Sequence, residues 1–199
     1  DPRLADKLVP SEHGFGTRRV PLETKYYEVF NQDNVELVDT NETPIEGVTE
    51  AGIRTSEGEI PLDIIIYATG FDAGTGALTR IDVRGRDGKL LKDTWDQEVR
   101  TFMGLQIHGY PNMFTTMAPL SPAAAYCNVP TCVQQQVDWI SECMMFVRAQ
   151  SGDSIEPTLA AQDAWVAHHD EIGSATLSMK TRSWHVRRDT EGNQQRVLA

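Results

Sequence analysis

Two adjacent arginines, Arg18 and Arg19, are the candidate active pair of this chain because they suit a reaction that builds up negative charge. An arginine keeps its charge even when it is buried, and its planar guanidinium matches the geometry of an oxyanion. A fixed donor of this kind stabilises a transition state that carries negative charge. The alternative is two solvated surface side chains, because most arginines lie on the protein surface.

A second candidate site follows a short apolar run at residues 64–67, Ile-Ile-Ile-Tyr. The run predicts a strand that is buried on both faces, as in a parallel sheet. The small residues Ala68, Thr69 and Gly70 come next and let the backbone approach a flat or phosphorylated ligand. Asp72 then places a carboxylate just beyond the strand, where open α/β sheets bind their ligands. The alternative is a core strand that ends in a glycine turn.

A proline-containing loop at residues 118–129 precedes the clearest helical pattern. Pro130 suits the first turn of that helix, and Thr131 with Gln134 can form a capping box. Residues 151–152, Ser-Gly, end it. The apolar stripe recurs at helical spacing in Val133, Val137, Ile140, Met144 and Val147. A helix start offers free amide donors to a ligand, and the alternative is a loop that only caps the helix.

Other residue types with catalytic potential form no site in the sequence. His168 and His169 are adjacent and face different sides of a helix, and no cysteine or third histidine supports a metal site. No metal is therefore predicted. Ser121 lacks the Gly-x-Ser-x-Gly motif of a hydrolase. Residues 92–96 are most simply a solvated run of charges.

The composition of the 199 residues narrows the class of protein. The net charge of −11 argues against nucleic acid or an anionic membrane as a partner. No apolar run approaches the roughly 18 residues of a membrane span, and no signal peptide is recognisable. Three cysteines, Cys127, Cys132 and Cys143, form an odd set without metal-ligand spacing. We therefore expect reduced thiols and a cytoplasmic protein.

The helices and strands predicted around these residues are those of an α/β protein. In the first part of the chain, one short helix near residues 26–30 interrupts irregular structure. A strand at residues 34–39 and a hairpin that turns at residues 57–58 lead into the buried strand at residues 64–67.

In the second part of the chain, the sequence predicts a loop-rich stretch with a turn at residues 86–88. Strands are predicted after it at residues 101–107 and 113–117. A second long helix is predicted from about residue 156 to residue 173. Its apolar stripe comprises Leu159, Ala160, Ala164, Val166 or Ala167, and Ile172. Residues 174–199 are polar and poorly periodic, and we expect irregular structure there.

Several segments resemble those of two-dinucleotide flavoprotein monooxygenases. Residues 68–72, Ala-Thr-Gly-Phe-Asp, resemble the linker motif of these enzymes, and residues 73–78, Ala-Gly-Thr-Gly-Ala-Leu, resemble the Baeyer–Villiger branch. Further matches follow in the order of that branch, at residues 1–10, 16–19, 26–31, 34–39, 109–114, 118–122 and 134–140. The chain therefore resembles a Baeyer–Villiger monooxygenase, although its Ala118-Pro119 replaces the familiar Gly-Pro.

The resemblance implies the carboxy-terminal part of such an enzyme. Neither of the two Gly-x-Gly-x-x-Gly fingerprints, one for FAD and one for NADPH, occurs in the chain. Residues 1–70 would end an NADPH-binding Rossmann-like domain with a β-meander and a parallel strand. Residues 71–199 would form the carboxy-terminal part of an FAD-binding domain, with one or two long helices and a cofactor-contacting loop near residues 174–199. The remainder of the enzyme chain upstream is the expected partner.

The resemblance also implies a reaction and its residues. Enzymes of this branch use FAD, NADPH and O2 to convert ketones into esters or lactones through a flavin C4a-peroxide. Arg19 matches the catalytic arginine, which holds the peroxide and the oxyanion, and Arg18 matches a neighbour that contacts the ribose phosphate of NADPH. Cofactor contacts are further implied for Ala68, Thr69, Gly70, Asp72, Asn128, Val129 and Trp184. A tryptophan in a polar tail is otherwise a packing anchor.

Two alternatives stay open. An N- or S-oxidising flavin monooxygenase shares the Ala-Thr-Gly linker, although Arg19 and the continuation to Leu78 favour the Baeyer–Villiger branch. A non-catalytic fragment is the other alternative, because neither pyrophosphate-binding fingerprint is present.

Overall fold

The computed structural model describes residues 2–17, 20–72, 74–122, 127–181, 185–188, 192 and 194–197. The chain divides into two compact units, one of residues 1–15 and 19–70 and one of residues 16–18 and 71–199. Three predicted site residues, Arg18, Arg19 and Trp184, lie outside the described residues. Their roles therefore stay predictions.

The first unit contains two short helices and one antiparallel sheet. Its helices are α1 (Pro2–Leu8) and α2 (Tyr26–Val29), and its strands are β1 (Ile45–Val48), β2 (Gly52–Thr55) and β3 (Gly58–Pro61). The sheet order is β1-β2-β3, so the predicted hairpin and meander are confirmed, although the turn lies at residues 56–57 instead of 57–58. The strands pack closely at Gly52, where any side chain would collide with the backbone of Ile60. Helix α1 was not predicted, because its apolar residues are too few to show a period.

Two predicted strands of the first unit are wrong. Residues 34–39 form no strand, and residues 64–67 pair with none of the described strands. Instead of being buried, Ile64 and Ile66 are 78% and 85% exposed. A parallel strand needs hydrogen-bonding neighbours at its edges and packing on both faces. The described residues supply neither, so the expected parallel strand is absent from the part of the chain that the structure describes.

The second unit is mainly helical. Its helices are α3 (Gly76–Thr79), α4 (Leu91–Gln97), α5 (Val129–Ala149) and α6 (Leu159–Ser174), and its strands are β4 (Val186–Arg188) and β5 (Gln194–Arg196). The strands predicted at residues 101–107 and 113–117 are wrong. Phe102 and Gln106 form only an isolated bridge around a tight turn, in which Met103 and Gly104 have positive φ.

The core of the second unit surrounds Trp95, which is only 1% exposed. Its buried neighbours are Leu91, Val99, Ile107, Tyr110 and Val197. The indole Nε1 donates to the carbonyl of Arg100 at 3.1 Å. The prediction of a solvated charge run at residues 92–96 is therefore wrong at Trp95. Helix α4 has only seven residues, so Leu91 and Trp95, one turn apart on its buried face, are too few to show a helical period among the charged residues.

The polar end of the chain folds, although it was predicted to be irregular. Strands β4 and β5 form an antiparallel pair, and two long polar side chains bind it to the end of α4 and to Val99 after that helix. Gln195 bonds both the amide and the carbonyl of Val99, at 2.9 and 2.7 Å. Arg187 donates to the carbonyls of Trp95 and Asp96. Because these bonds are non-local and polar, no hydrophobic period in the sequence could reveal them.

Both predicted long helices are present, but some of their details differ. The residue before α5 is Asn128, so Thr131 lies inside the helix and the predicted capping box does not form. Helix α6 starts at Leu159 after Thr158, whose hydroxyl accepts from the amide of Ala161. Its buried face consists of Gln162, Val166, His169 and Gly173. The predicted stripe is therefore wrong except at Val166, since Leu159 and Ile172 are exposed.

The expectation of reduced thiols is wrong for two of the three cysteines. Cys127 and Cys132 form a disulfide across the start of α5, with their Cα atoms 6.4 Å apart. Cys143 is a free, partly buried thiol.

A carboxylate clamp joins the turn at residues 86–88 to the segment before α6. One oxygen of Glu156 accepts from Nε and Nη2 of Arg86, at 2.9 and 2.8 Å, and the other accepts from the amide of Gly109 at 2.9 Å. The hydrogen bonds from Arg86, aided by that of Gly109, hold the pKa of Glu156 below its ordinary value of 4.5, against the opposing effect of burial.

Glu156→Gln is expected to reduce the acid sensitivity of the second unit. Since the folded pKa is depressed, the clamp stabilises the fold above the unfolded pKa, and this contribution is lost as the pH falls through the folded pKa. At neutral pH the substitution should lower the free energy of unfolding by about 1 kcal/mol. The value is small because Arg86 is more than half exposed, so solvent screens its attraction to Glu156. Urea unfolding at pH 7 and at several lower pH values measures it. Arg86→Met should give the same flattening, and unchanged pH profiles in both variants would contradict the clamp.

Candidate functional site

A short loop at residues 117–121, here called the anchored loop, leads toward the start of α5. Its two ends bind the same side chain of that helix. The amide of Met117 donates to Oε1 of Gln136 at 2.9 Å, and Nε2 of Gln136 donates to the hydroxyl of Ser121 at 2.9 Å. The loop and the helix are therefore tied together by one buried amide.

The middle of the anchored loop is bonded to three other parts of the second unit. Thr101 donates its hydroxyl proton to the carbonyl of Pro119 at 2.7 Å. The amide of Leu120 donates to the carbonyl of Val197 at 2.9 Å, and the indole of Trp165 donates to the carbonyl of Leu120 at 3.0 Å. Helix α6, the carboxyl end of the chain and the 101–106 turn thus all hold this loop.

The backbone of the anchored loop is strained. Met117 and Leu120 have φ values of +52° and +64°, in the left-handed region that non-glycine residues rarely adopt. Such residues cost about 1–3 kcal/mol each and persist only where the surrounding structure fixes them. Gly104 packs so tightly here that a Cβ atom on it would lie 2.6 Å from Cβ of Ser121. Strain of this kind clusters at ligand-binding sites, which makes the loop a candidate site.

The start of α5 presents free donors beside this loop in the sequence. Asn128 is the residue before the helix, and within the described residues its side chain accepts no capping hydrogen bond. Pro130 has no amide proton, and the amide of Cys132 already bonds the carbonyl of Asn128 at 3.1 Å. Among the described residues, the amides of Val129 and Thr131 therefore remain as first-turn donors for an acceptor oxygen.

Asp72 lies at the beginning of the second unit, close to α3. Its carboxylate pairs with Arg80 at 3.3 Å, and both side chains are more than half exposed. A side chain at Gly76 would collide with this carboxylate, so the glycine is required by the close approach of Asp72. In the first unit, residues 68–70 are exposed, and Gly70 has a left-handed φ of +84°. Only glycine adopts that conformation without strain.

Comparison with known proteins shows which enzymes this chain is similar to. The chain is 56% identical to the acetone monooxygenase (methyl acetate-forming) of Gordonia sp. (strain TY-5) over 200 residues, which cover 100% of this chain and 38% of the relative. It is 37% identical to a Baeyer–Villiger monooxygenase of Pseudooceanicola batsensis over 199 residues, again 100% of this chain and 36% of the relative. The chain is similar over its whole length to the carboxy-terminal part of Baeyer–Villiger monooxygenases.

The matched solved structures cover the same part of these monooxygenases. OTEMO, solved in complex with FAD and NADP, matches 100% of this chain and 36% of its own, with a TM-score of 0.91 and 41% identity. A phenazine N-monooxygenase of Lysobacter antibioticus is 36% identical over 199 residues, which is 100% of this chain and 36% of that relative. No protein-family model matches the chain. The chain thus spans little more than a third of the length of these relatives, at their carboxy-terminal end.

Only some of the predicted site residues are placed by the structure. Asn128 and Val129 stand together at the start of α5, whereas Asp72 stands with Arg80 beside α3. Sequence reasoning missed the residues that hold the anchored loop, which are Thr101, Gly104, Gln136 and Trp165. Gln136 follows Val129 by seven residues and so lies on the same helix face, and this spacing is the one signal that could have revealed it.

Two further observations concern the described residues alone. None of their groups of His, Cys, Asp and Glu side chains has the arrangement of a metal site. None of their helices has both the length and the hydrophobicity needed to cross a membrane.

Proposed function

We propose that this chain is part of an FAD- and NADPH-dependent Baeyer–Villiger monooxygenase that inserts one atom of O2 into a ketone. The observation that carries the proposal is the match over the whole chain to a relative named for forming methyl acetate from acetone. Insertion of oxygen between the carbonyl carbon and a methyl group of acetone gives that ester. Esters or lactones from ketones are therefore the proposed products.

The start of α5 supports a role in holding the flavin. An isoalloxazine ring offers carbonyl oxygens at one edge, and the uncapped first turn of α5 offers amide donors of the kind that such oxygens accept. We assign this contact to the backbone of Asn128 and Val129, next to the anchored loop. FAD, when bound, supplies the redox chemistry between NADPH and O2, and this part of the chain orients it.

The remaining site residues are assigned by their match to the family motifs. Arg19 is assigned to hold the oxyanion that forms when a nucleophile adds to the ketone carbonyl, a role that suits a fixed planar cation. Arg18 is assigned to the ribose phosphate of NADPH. The small residues 68–70, together with Asp72 and Trp184, are assigned to cofactor contacts.

The exposed apolar side chains support the proposal that the preceding part of the enzyme chain is the partner of this segment. Ile64, Ile66 and Tyr67 are exposed next to unpaired backbone, and α5 exposes Met144, Met145 and Phe146. Exposed apolar side chains of this kind are typical of a protein interface. We propose that the preceding part of the enzyme covers them and pairs with residues 64–67. Residues 1–70 would then end an NADPH-binding Rossmann-like domain, and residues 71–199 would complete an FAD-binding domain in a cytoplasmic enzyme.

The test uses the complete flavoprotein that contains this chain. Under ¹⁸O2, with NADPH and a small ketone such as acetone, we expect bound FAD in the absorbance spectrum and an ester that carries one ¹⁸O atom by mass spectrometry. The 199-residue chain alone is the control, and it should bind neither cofactor tightly because it lacks both fingerprints. If no labelled ester forms and an amine or a sulfide is instead converted to its N- or S-oxide, the result would favour an N- or S-oxidising monooxygenase, the activity for which the phenazine N-monooxygenase relative is named.

A further inference from the structure

Gln136 is an unusual residue for its place in α5. It is the buried residue of this helix, only 8% exposed, whereas apolar residues such as Val137 and Met144 on the same helix are about half exposed. A buried amide group is unfavourable unless both its donor and its acceptor are bonded. In Gln136 both are bonded, and both bonds run to the anchored loop. The side chain is therefore kept inside by polar contacts and not by hydrophobic packing.

These two bonds connect backbone and side chain at opposite ends of the loop. The Met117 amide belongs to a residue with a left-handed φ of +52°, and Ser121, whose hydroxyl accepts the other bond, is only 1% exposed. A strained residue holds its conformation only while its partners hold it. Without Gln136, the amide of Met117 would lose its acceptor and the loop would lose its link to α5.

The position of Gln136 on the helix connects the loop to the first turn of α5. Val129 and Gln136 are seven residues apart, so they lie on one face, separated by about 10.5 Å along the helix axis. A bond at Gln136 therefore sets the rotation of α5 about its axis relative to the loop. First-turn amides point nearly along the helix axis, so that rotation decides the position around the axis at which each of them stands.

We infer that Gln136 is a positioning residue for the flavin. It fixes α5 against the anchored loop and thereby places the amide of Val129 at the edge of the ring. This inference rests on the proposed function, because it takes the start of α5 as the flavin contact. Gln136 acts through the helix and the loop and does not itself touch the cofactor.

The test compares three variants of the complete flavoprotein. Gln136→Leu keeps the size of the side chain but removes both bonds, and it should raise the dissociation constant for FAD about tenfold and shift the visible absorbance band of the bound flavin. Gln136→Glu keeps acceptor oxygens for the Met117 amide and the Ser121 hydroxyl, so it should restore most of the parental affinity. Gln135→Leu is the matched control, because Gln135 is exposed on the same helix.

The outcomes separate this inference from the proposed function. Parental FAD affinity and an unshifted spectrum in Gln136→Leu would overturn the inference. If that variant fails to fold, Ser121→Ala removes one bond alone and should still weaken FAD binding, by about threefold; an unchanged affinity would again overturn it. If the parental protein binds no FAD, the proposed function fails. Hydrogen exchange at the Met117 amide then decides whether Gln136 anchors the loop, since exchange should accelerate in Gln136→Leu and not in Gln135→Leu.

Discussion

Replacement of Arg19 by alanine is expected to lower ketone oxygenation by the complete flavoprotein about a hundredfold to a thousandfold while FAD stays bound. The assigned role of Arg19 is to donate to an oxyanion that exists only after a nucleophile has added to the carbonyl. Loss of one preorganised donor of this kind commonly costs about 2.7–4 kcal/mol of transition-state stabilisation. Because the contact is absent in the ground state, kcat should fall and the ketone KM should change little. Ester formation under saturating ketone, with the flavin absorbance of the purified variant, measures both.

Two neighbouring substitutions give this prediction its controls. Arg19→Lys should recover little activity, because a flexible point charge does not reproduce the planar guanidinium. Arg18→Ala should mainly raise the KM for NADPH, since the adjacent arginine is assigned to the ribose phosphate. Ketone conversion at near parental rates in Arg19→Ala would show that the catalytic role is assigned to the wrong residue.

The elements that the sequence predicted well are those whose signal is local. Helix α5 has an apolar period from Val133 to Val147 and a proline in its first turn, and the hairpin of β2 and β3 has a glycine, Gly58, directly after its turn at residues 56–57. Both follow from neighbours within a few residues. Residues 64–67 carry an equally clear pattern, but a parallel strand depends on partners far away in the sequence. The pattern therefore predicted a burial that the described residues do not provide.

In the candidate site, too, the sequence predicted the residues with a local signal and missed those that depend on distant contacts. The resemblance maps the ring contact to Asn128 and Val129, just before the helix that Pro130 and the apolar stripe predict, and the structure has the helix begin at Val129. The residues that hold the anchored loop do not follow from any pattern. Gln136 contacts residues 15 and 19 positions earlier, and Trp165 contacts Leu120 across 45 positions. Polar contacts of this range depend on tertiary packing, which a single sequence does not reveal.

Trp95→Ala is the substitution expected to destabilise the second unit most. The indole is almost fully buried against Leu91, Val99 and Ile107, and its Nε1 bonds the carbonyl of Arg100. Truncation leaves a cavity and an unsatisfied carbonyl, which together should cost about 3–5 kcal/mol of the free energy of unfolding. Domains are stable by only about 5–15 kcal/mol, so the variant should unfold at much lower urea concentration. Circular dichroism at 222 nm follows the transition without depending on the missing indole.

The control for this prediction, measured like Trp95→Ala on the 199-residue chain alone so that the proposed partner surface is uncovered, is Phe146→Ala, which removes an aromatic ring that is 64% exposed on α5. It should change the free energy of unfolding by less than about 0.5 kcal/mol, as surface substitutions usually do. Trp95→Phe should lie between the two variants, because it keeps most of the buried ring but leaves the Arg100 carbonyl without its donor. Equal urea midpoints for Trp95→Ala and Phe146→Ala would mean that Trp95 is not the centre of this core, and that the exposed charges of α4 do belong to a solvated segment.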